Sequence, residues 1–339
     1  MHHQLDLSTR RKSNPAKTRL RPTGLESMLN PTSSPLASAF KAMAFEAIGE
    51  RVRAITGSKA RASLDEFATP LGDPGLFGSD SMAWRVHADF TVMMVGGLSS
   101  LIVQALHPRA LAAVWDHSDF RHKLKERLGR TAYFVAATTY GPEAMALKAI
   151  QRVNAIHANI RGTDLEGQPY VANEPALIRW VHLVEVISFL AAYQHLAKQP
   201  LSPQGCDQYI AEMAKVGHLL GATDLPLTYA DAQAELLGFA DALRFDARAQ
   251  EILQVIQGYP VDFLDKPWMA LILTCAFDLM PPWVLALMGR SPACGVQKQV
   301  TRLAVQVSAE PVQWMLNQQG VSTIARQRVR AGVSAPGAT

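Results

Sequence analysis

Apolar residues recur at intervals of three or four positions along most of the chain, most clearly between residues 142 and 163. The apolar stripe of this segment contains Leu147, Ile150, Val153, His157 and Ile160. This spacing is typical of one face of an α-helix. Pro142 can open such a helix, and Gly162 can end it. We therefore predict that His157 faces the core, with Arg161 one turn beyond it on the same face.

The same periodicity predicts a chain built from helices, and the alternation typical of strands is almost absent. Helices are expected at residues 37–55, 81–106, 107–114, 142–163, 175–198, 202–220, 228–245, 247–256, 267–279, 281–289 and 296–319. A loop is expected at 69–81, where turn-forming residues are frequent. We predict an all-α fold with a single helical domain. Its expected limits are residues 36–328, between a disordered basic tail at 1–35 and a disordered tail at 329–339.

The composition indicates a large apolar interior. Apolar residues make up 48% of the chain and charged residues 18%, against roughly 25% charged residues in typical soluble domains. The net charge of +4 comes from the first 22 residues, which carry six Lys or Arg side chains against one Asp. Because the rest of the chain is close to neutral, we expect no nucleic-acid partner.

Export and membrane signals are weak in this sequence. An arginine pair at 10–11 is not followed by the apolar segment that an export signal requires, so we expect a cytoplasmic protein. Residues 90–108 carry no formal charge, but glycine, serine and histidine dilute this run. A buried helix pair is the favoured interpretation, and no firm membrane association is expected. Three widely spaced cysteines are expected to be buried free thiols, namely Cys206, Cys275 and Cys294.

Several classes of enzyme lack their characteristic motif here. The chain has no HExxH motif of zinc proteases and no ExxH pair of di-iron helical bundles. The glycine-rich phosphate-binding motifs and the GxSxG nucleophile motif are missing as well. The missing motifs argue against these enzyme classes, but they do not indicate which function the protein has.

Two histidines are followed by an arginine four positions later, a spacing that chance alone can produce. The pair His117 and Arg121 lies in a polar stretch, which indicates a solvated helix end. His157 and Arg161 instead belong to the apolar stripe. An imidazole in that setting could ligate a haem iron, with the guanidinium beside a propionate. A core histidine with satisfied hydrogen bonds remains an open alternative.

A second group of polar residues, in the sequence RLGRT, precedes the apolar segment that leads into the 142–163 helix. In a helix, Arg127 and Thr131 would share a face, with Arg130 beside them. Two cations and a hydroxyl suit an anion such as a propionate, or could polarise bound oxygen. The alternative is a solvated helix end whose arginines pair with Glu126 or Asp119.

The order of these motifs resembles that of a known family. RLGRT, then IHANIRG, then YVANEPALIRWVH follow one another after the segment GGLSSLIVQALHPRALAAVWDHSDF. This arrangement is similar to the haem-binding oxygenase domain shared by latex clearing proteins and MpaB-type oxygenases. The resemblance covers residues 84–195, and the ordered set of motifs is more specific than any one of them.

The resemblance implies a helical, globin-like core around a b-type haem. It assigns His157 as the proximal iron ligand, and Arg161, Arg127 and Thr131 as residues that support the haem. Arg130 stands where rubber-cleaving members have a distal lysine, and it differs by being planar and permanently charged. Structural roles are expected for His107, His117 and His182, and core positions for Trp84, Trp115 and Trp180.

The leading hypothesis is a haem b-dependent oxygenase that acts with dioxygen on an apolar substrate of the unsaturated or isoprenoid kind. In it, Arg130 supplies polarity on the distal side. One alternative is a helical protein that carries haem or a lipid without catalysis. Another is a scaffold whose basic tail meets an anionic membrane surface.

Overall fold

The computed structural model describes residues 64–259 and 261–333, together with Glu50. The chain divides into two compact units, residues 1–46 and 47–339. All described residues belong to the second unit. The tail expected at 1–35 lies outside the described residues, as does the helix expected at 37–55 apart from Glu50, which is helical.

Helices joined by short loops dominate the described residues, so the predicted all-α class is confirmed. The helices are α1 (Leu64–Ala68), α2 (Met82–His87), α3 (Phe90–Gln104), α4 (Pro108–His117), α5 (Phe120–Tyr140), α6 (Glu143–His157), α7 (Pro175–Leu196), α8 (Pro203–Leu220), α9 (Tyr229–Gly238), α10 (Ala247–Gln257), α11 (Lys266–Asp278), α12 (Pro282–Leu287), α13 (Gly295–Gln319) and α14 (Val321–Val333). Strands β1 (Arg161–Thr163) and β2 (Pro169–Val171) form an antiparallel pair, the one sheet among these residues.

Helix boundaries follow capping residues. Ser81 caps α2 as predicted, since its hydroxyl accepts a hydrogen bond from the Trp84 backbone N–H. The single helix expected at 81–106 is two helices, because the Asp89 carboxylate accepts the N–H groups of Thr91 and Val92 at 2.8 and 3.0 Å and starts α3. At the other end of the chain, α14 continues to Val333, into the stretch assigned to a tail.

The core is organised around the contact between α3 and α7. A Cβ atom on Gly96 would lie 2.7 Å from the Phe189 ring, so glycine at this position allows the two helices to approach closely. Trp84 and Trp180 are fully buried, as expected. Trp115 is only partly buried, and the Arg121 guanidinium stacks 3.7 Å from the centre of its ring.

Among the described helices, α7 is the one that is long and apolar enough to cross a membrane by itself. About 72% of its most apolar window is buried inside the protein. The uncharged run at 90–108 is a bent pair, because α3 and α4 meet at 102°. Pro108 explains the bend, since it lacks an N–H donor and holds His107 in an extended conformation. The predicted helix pair is therefore present.

Two of the three cysteines have the predicted environment. Cys206 and Cys275 are buried free thiols, whereas Cys294 is exposed immediately before α13. The prediction that all three are buried was wrong for Cys294, because the loop before α13 lies at the surface.

Candidate haem-binding site

The RLGRT motif lies in the middle of α5, so its residues have the helical arrangement that the sequence predicted. The Thr131 hydroxyl donates to the Arg127 backbone carbonyl at 3.3 Å, which places both residues on one face. Thr131 and Arg130 are exposed, whereas Arg127 is half-buried. Arg127 extends into the protein and the other two residues stay at the surface.

Arg127 lines an apolar pocket of about 50 Å³ between α3, α4, α5, α7 and α10. Among its apolar lining residues are Leu101, Leu111, Leu124, Val181, Ile252 and Val255. Arg127 is the one formally charged side chain that lines this pocket. A guanidinium in such surroundings loses hydration that its apolar neighbours do not replace.

The charge of Arg127 is poorly compensated. Its side chain donates to the Ser118 hydroxyl at 3.3 Å. No carboxylate of the described residues pairs with Arg127 or Arg130, and Asp119 instead binds His122 and Lys123. Burial, together with the neighbouring Arg130 charge, lowers the pKa of Arg127 to about 10. This environment suits an anionic partner that the protein does not itself supply.

His157 is the last residue of α6, and its side chain is half-buried. Its Nδ1 atom is buried and has no hydrogen-bond partner among the described residues. Burial lowers the pKa of His157, which favours the neutral imidazole. A neutral imidazole with an uncommitted ring nitrogen is the form that ligates a metal. The open alternative of a hydrogen-bonded core histidine fits less well, because Nδ1 is unsatisfied.

The antiparallel packing of α5 against α6 brings Arg127 and His157 to the same level. Gly141 and Pro142 connect the two helices, and Phe134 packs in one cluster with Leu147 and Ile150. Arg127 lies about 14 residues before this connection and His157 about 15 after it, so both are roughly 21 Å along their helices. The two motifs therefore lie at the same level, at the end of the α5–α6 pair that is remote from the connection.

Arg161 does not lie on the helical face of His157, so that prediction was wrong. The helix ends at His157, and Arg161 begins strand β1. The helix ends here because the following residues form the hairpin. Gly162 packs under the buried ring of Tyr170. The Tyr170 hydroxyl in turn donates a hydrogen bond to Asp116 at 2.8 Å. The same change removes Ile160 from the helical stripe.

The hairpin nevertheless carries Arg161 towards Arg127. The backbone carbonyl of Arg161 accepts a hydrogen bond from His117 Nε2 at 3.2 Å. Ser118, the next residue, accepts from Arg127. The Arg161 backbone and the Arg127 side chain thus contact neighbouring residues at the C-terminal end of α4, and the exposed Arg161 guanidinium donates to the Ala158 carbonyl at 3.3 Å. His117 is exposed at that helix end, as its polar sequence indicated.

Glu185 is a residue that sequence reasoning did not single out. It is the only acidic residue of α7 and lies one turn after Val181, which lines the pocket. The side chain of Glu185 lies deep among protein atoms and keeps only part of its surface accessible. Burial raises its pKa to about 7. The only sequence signal was a lone acid in an otherwise apolar helix.

An unpartnered ring nitrogen is not confined to His157, because His107 Nδ1 and His195 Nε2 are also buried without a partner among the described residues. His87 hydrogen-bonds Thr139 at 2.8 Å and Tyr209 at 2.9 Å. His107 packs against the Trp180 ring, and His182 lies against Gly217. Among the described residues, no group of three or more His, Cys, Asp or Glu side chains could hold a bare metal ion. A haem iron differs, because it needs only one axial ligand from the protein.

The chain matches the model of a known protein family. A family model described as "ER-bound oxygenase mpaB/B'/Rubber oxygenase, catalytic domain" matches residues 84–309, more than half of the chain. The matched region contains α5, α6 and the hairpin. No curated protein and no solved structure matches the chain. The chain belongs to the family of mpaB-type and rubber-oxygenase catalytic domains.

Proposed function

We propose that this protein is a haem b-dependent oxygenase that acts with dioxygen on an apolar, unsaturated or isoprenoid substrate. The observation that carries the proposal is the unpartnered Nδ1 atom of a neutral His157, level with the uncompensated charge of Arg127. Membership of an oxygenase family supports the reaction type. The cofactor and the substrate class go beyond that membership.

In this proposal each site residue has a defined task. His157 would hold the haem iron, because it is half-buried and burial favours its neutral form. Arg127 and Arg161 would hold the haem propionates through charge-assisted hydrogen bonds. Thr131 holds the local backbone through its bond to the Arg127 carbonyl and offers its oxygen to a further donor. When bound, the haem supplies an iron centre that can activate dioxygen.

The apolar pocket has a separate task. Its volume of about 50 Å³ holds a few water-sized molecules, which is too little for a porphyrin. His157 is not among its lining residues. We therefore assign this pocket to dioxygen and to one end of an apolar substrate. The haem would bind on the side of His157. The apolar walls exclude water from that space.

Arg130 supplies the distal polarity. Its exposed guanidinium carries a permanent positive charge and five N–H donors beside the more buried Arg127. Such donors stabilise negative charge that develops on a substrate oxygen. A lysine at the same position would offer a compact ammonium with rotatable donors instead. We therefore expect the preferred substrate to differ from that of members with a lysine here.

Oxygen uptake tests the proposed activity. The purified chain is reconstituted with haem b, and uptake is measured with an unsaturated terpenoid or lipid. Uptake above that of free haem at equal concentration, which falls at least tenfold in Arg130→Met, is the expected result. Haem binding without uptake above the free-haem rate would instead indicate a carrier protein. A chain that binds no haem would overturn the proposal.

A further inference from the structure

Helix α13 exposes an apolar stripe that no other described part of the chain covers. Its residues, called the α13 stripe below, are Val296, Val300, Leu303 and Val307. Each of these side chains is between 59% and 75% exposed. The opposite face of the helix, with Thr301, Val305 and Ala309, is buried against the core. The helix therefore has a second apolar face besides the one that anchors it.

The spacing of the α13 stripe is that of a coiled-coil seam. Successive members are separated by four, three and four residues, as the a and d positions of a heptad are. A helix that only anchors itself to a core needs one apolar face. The second face matches the seam that another helix of the same kind would fill.

We propose that the α13 stripe pairs with the α13 stripe of a second copy of this chain, the two helices running antiparallel. In this register Val296 opposes Val307 of the other copy, and Val300 opposes Leu303. All four apolar residues then meet apolar residues. Such an arrangement is isologous, with the same patch used by both copies around a twofold axis.

The charge next to the stripe decides the orientation. Glu310 occupies the next heptad position, and it is an exposed residue that pairs with the exposed ammonium of Lys198 at 3.4 Å. A parallel pair would set the two Glu310 carboxylates against each other in the seam, which is unfavourable. In the antiparallel pair, each Glu310 lies just beyond the N-terminus of the opposite α13. The partial positive charge at that helix end favours a negatively charged side chain.

The area involved fits a reversible dimer. Four side chains at about 100 Å² each contribute roughly 400 Å² per copy, and the flanking polar residues bring the total for two copies to about 1,000 Å². This is the low end for specific interfaces. Dimerisation is therefore expected to depend on protein concentration.

The flanks of the stripe argue against a membrane surface as its partner. Gln297 and Gln299 are the exposed neighbours at its start. Membrane-surface helices instead carry Lys and Arg beside their apolar face. The two cations of α13, Lys298 and Arg302, lie on its other side: the Lys298 ammonium donates to the Asp278 carbonyl at 2.9 Å, and the Arg302 Nε atom is buried.

Sedimentation velocity of the full chain over a concentration range tests the pairing. The mass should rise with concentration from 37.0 kDa towards twice that value. Leu303→Glu should weaken the association at least tenfold. Leu227→Glu, a change at a leucine of nearly equal exposure in another part of the fold, should not. Circular dichroism of each variant verifies that it is folded.

Cysteine cross-linking tests the orientation. In a Cys294→Ser background, Val296→Cys and Val307→Cys chains should form a disulfide when mixed and oxidised, and neither should do so alone. Cross-linking of each variant with itself would show a parallel pair and overturn the proposed geometry. A chain that stays monomeric at about 100 μM, or one whose Leu303→Glu variant loses binding to phosphatidylcholine vesicles instead, would overturn the pairing itself.

Discussion

At the scale of single residues, Arg127 combines a permanent charge with an apolar environment. The pocket around it and the adjacent Arg130 both act against its charged form. In the proposed site, a haem propionate would compensate this charge. The haem-free protein should therefore be less stable than it would be with an uncharged side chain at this position.

Arg127→Met tests that expectation. The variant keeps an apolar stem but loses the charge, so the free energy of unfolding of the haem-free protein should rise by about 1 kcal/mol. Its affinity for haem should fall about tenfold, because a charge-assisted hydrogen bond is lost. Urea denaturation and haem titration measure the two effects. Arg130→Met, at an exposed position, should change the stability less. A destabilised Arg127→Met protein would contradict the assignment.

Glu185 makes stability depend on pH. Because burial raises its pKa from 4.5 to about 7, the folded protein keeps a proton that the unfolded chain releases. The free energy of unfolding should therefore fall as the pH rises from 4.5 to 7. Glu185→Gln should match the wild type near pH 4 and exceed it by about 2 to 3 kcal/mol at pH 8.

Denaturant titrations at several pH values check this prediction. Glu126→Gln, a change at an exposed glutamate of α5, should leave the pH profile as it is in the wild type. If Glu185→Gln and the wild type lose stability in parallel above pH 5, Glu185 is ionised in the folded protein and the stated environment is wrong.

Single residues differ in how far the sequence predicts them. The helical spacing predicted that His157 faces the core, because the rest of its stripe is apolar, and the side chain is half-buried. The environment of Glu185 follows from α7 lying at the centre of the fold, and a lone acid in an apolar helix does not reveal that. The separation of Arg127 from Asp119 likewise depends on which partners Asp119 finds locally, His122 and Lys123.

At the scale of elements, the hairpin after α6 shows where a local pattern is overridden. The three-four spacing continued through Ile160, but the helix stops at His157. The competing contact is Tyr170, which is buried and hydrogen-bonded to Asp116. That contact joins residues 54 positions apart, so periodicity within a short window cannot predict it.

Gly162→Ala tests the importance of this contact. A Cβ atom there would lie 2.6 Å from the Tyr170 hydroxyl oxygen, so the hairpin must shift at a cost of about 1 to 3 kcal/mol. Haem affinity should fall as well, because the hairpin positions Arg161. Gly238→Ala is the matched control, since nothing lies within 4 Å of its added methyl group. Equal stability of the two variants, measured by urea denaturation, would show that the hairpin does not depend on the close packing.

At the scale of the whole molecule, the fold class was predictable because helical spacing recurs in nearly every segment. The Ser81 cap and the helix break at Pro108 could also be predicted from the sequence, because each depends only on neighbouring residues. The split at Asp89 was missed because the apolar pattern continues across it. The RLGRT motif and His157 lie at the same level because the connection between α5 and α6 is short. The sequence alone did not show that these two helices pack antiparallel.

The central claim is that His157 binds a haem iron, and the Soret absorption of the reconstituted protein tests it most directly. The wild type should show a haem-protein Soret band, and His157→Ala should lose or strongly shift it while circular dichroism shows unchanged helicity. His117→Ala, which changes the exposed histidine of the other HxxxR pair, should keep the band. A band that persists unchanged in His157→Ala, or disappears only in His117→Ala, would contradict the account.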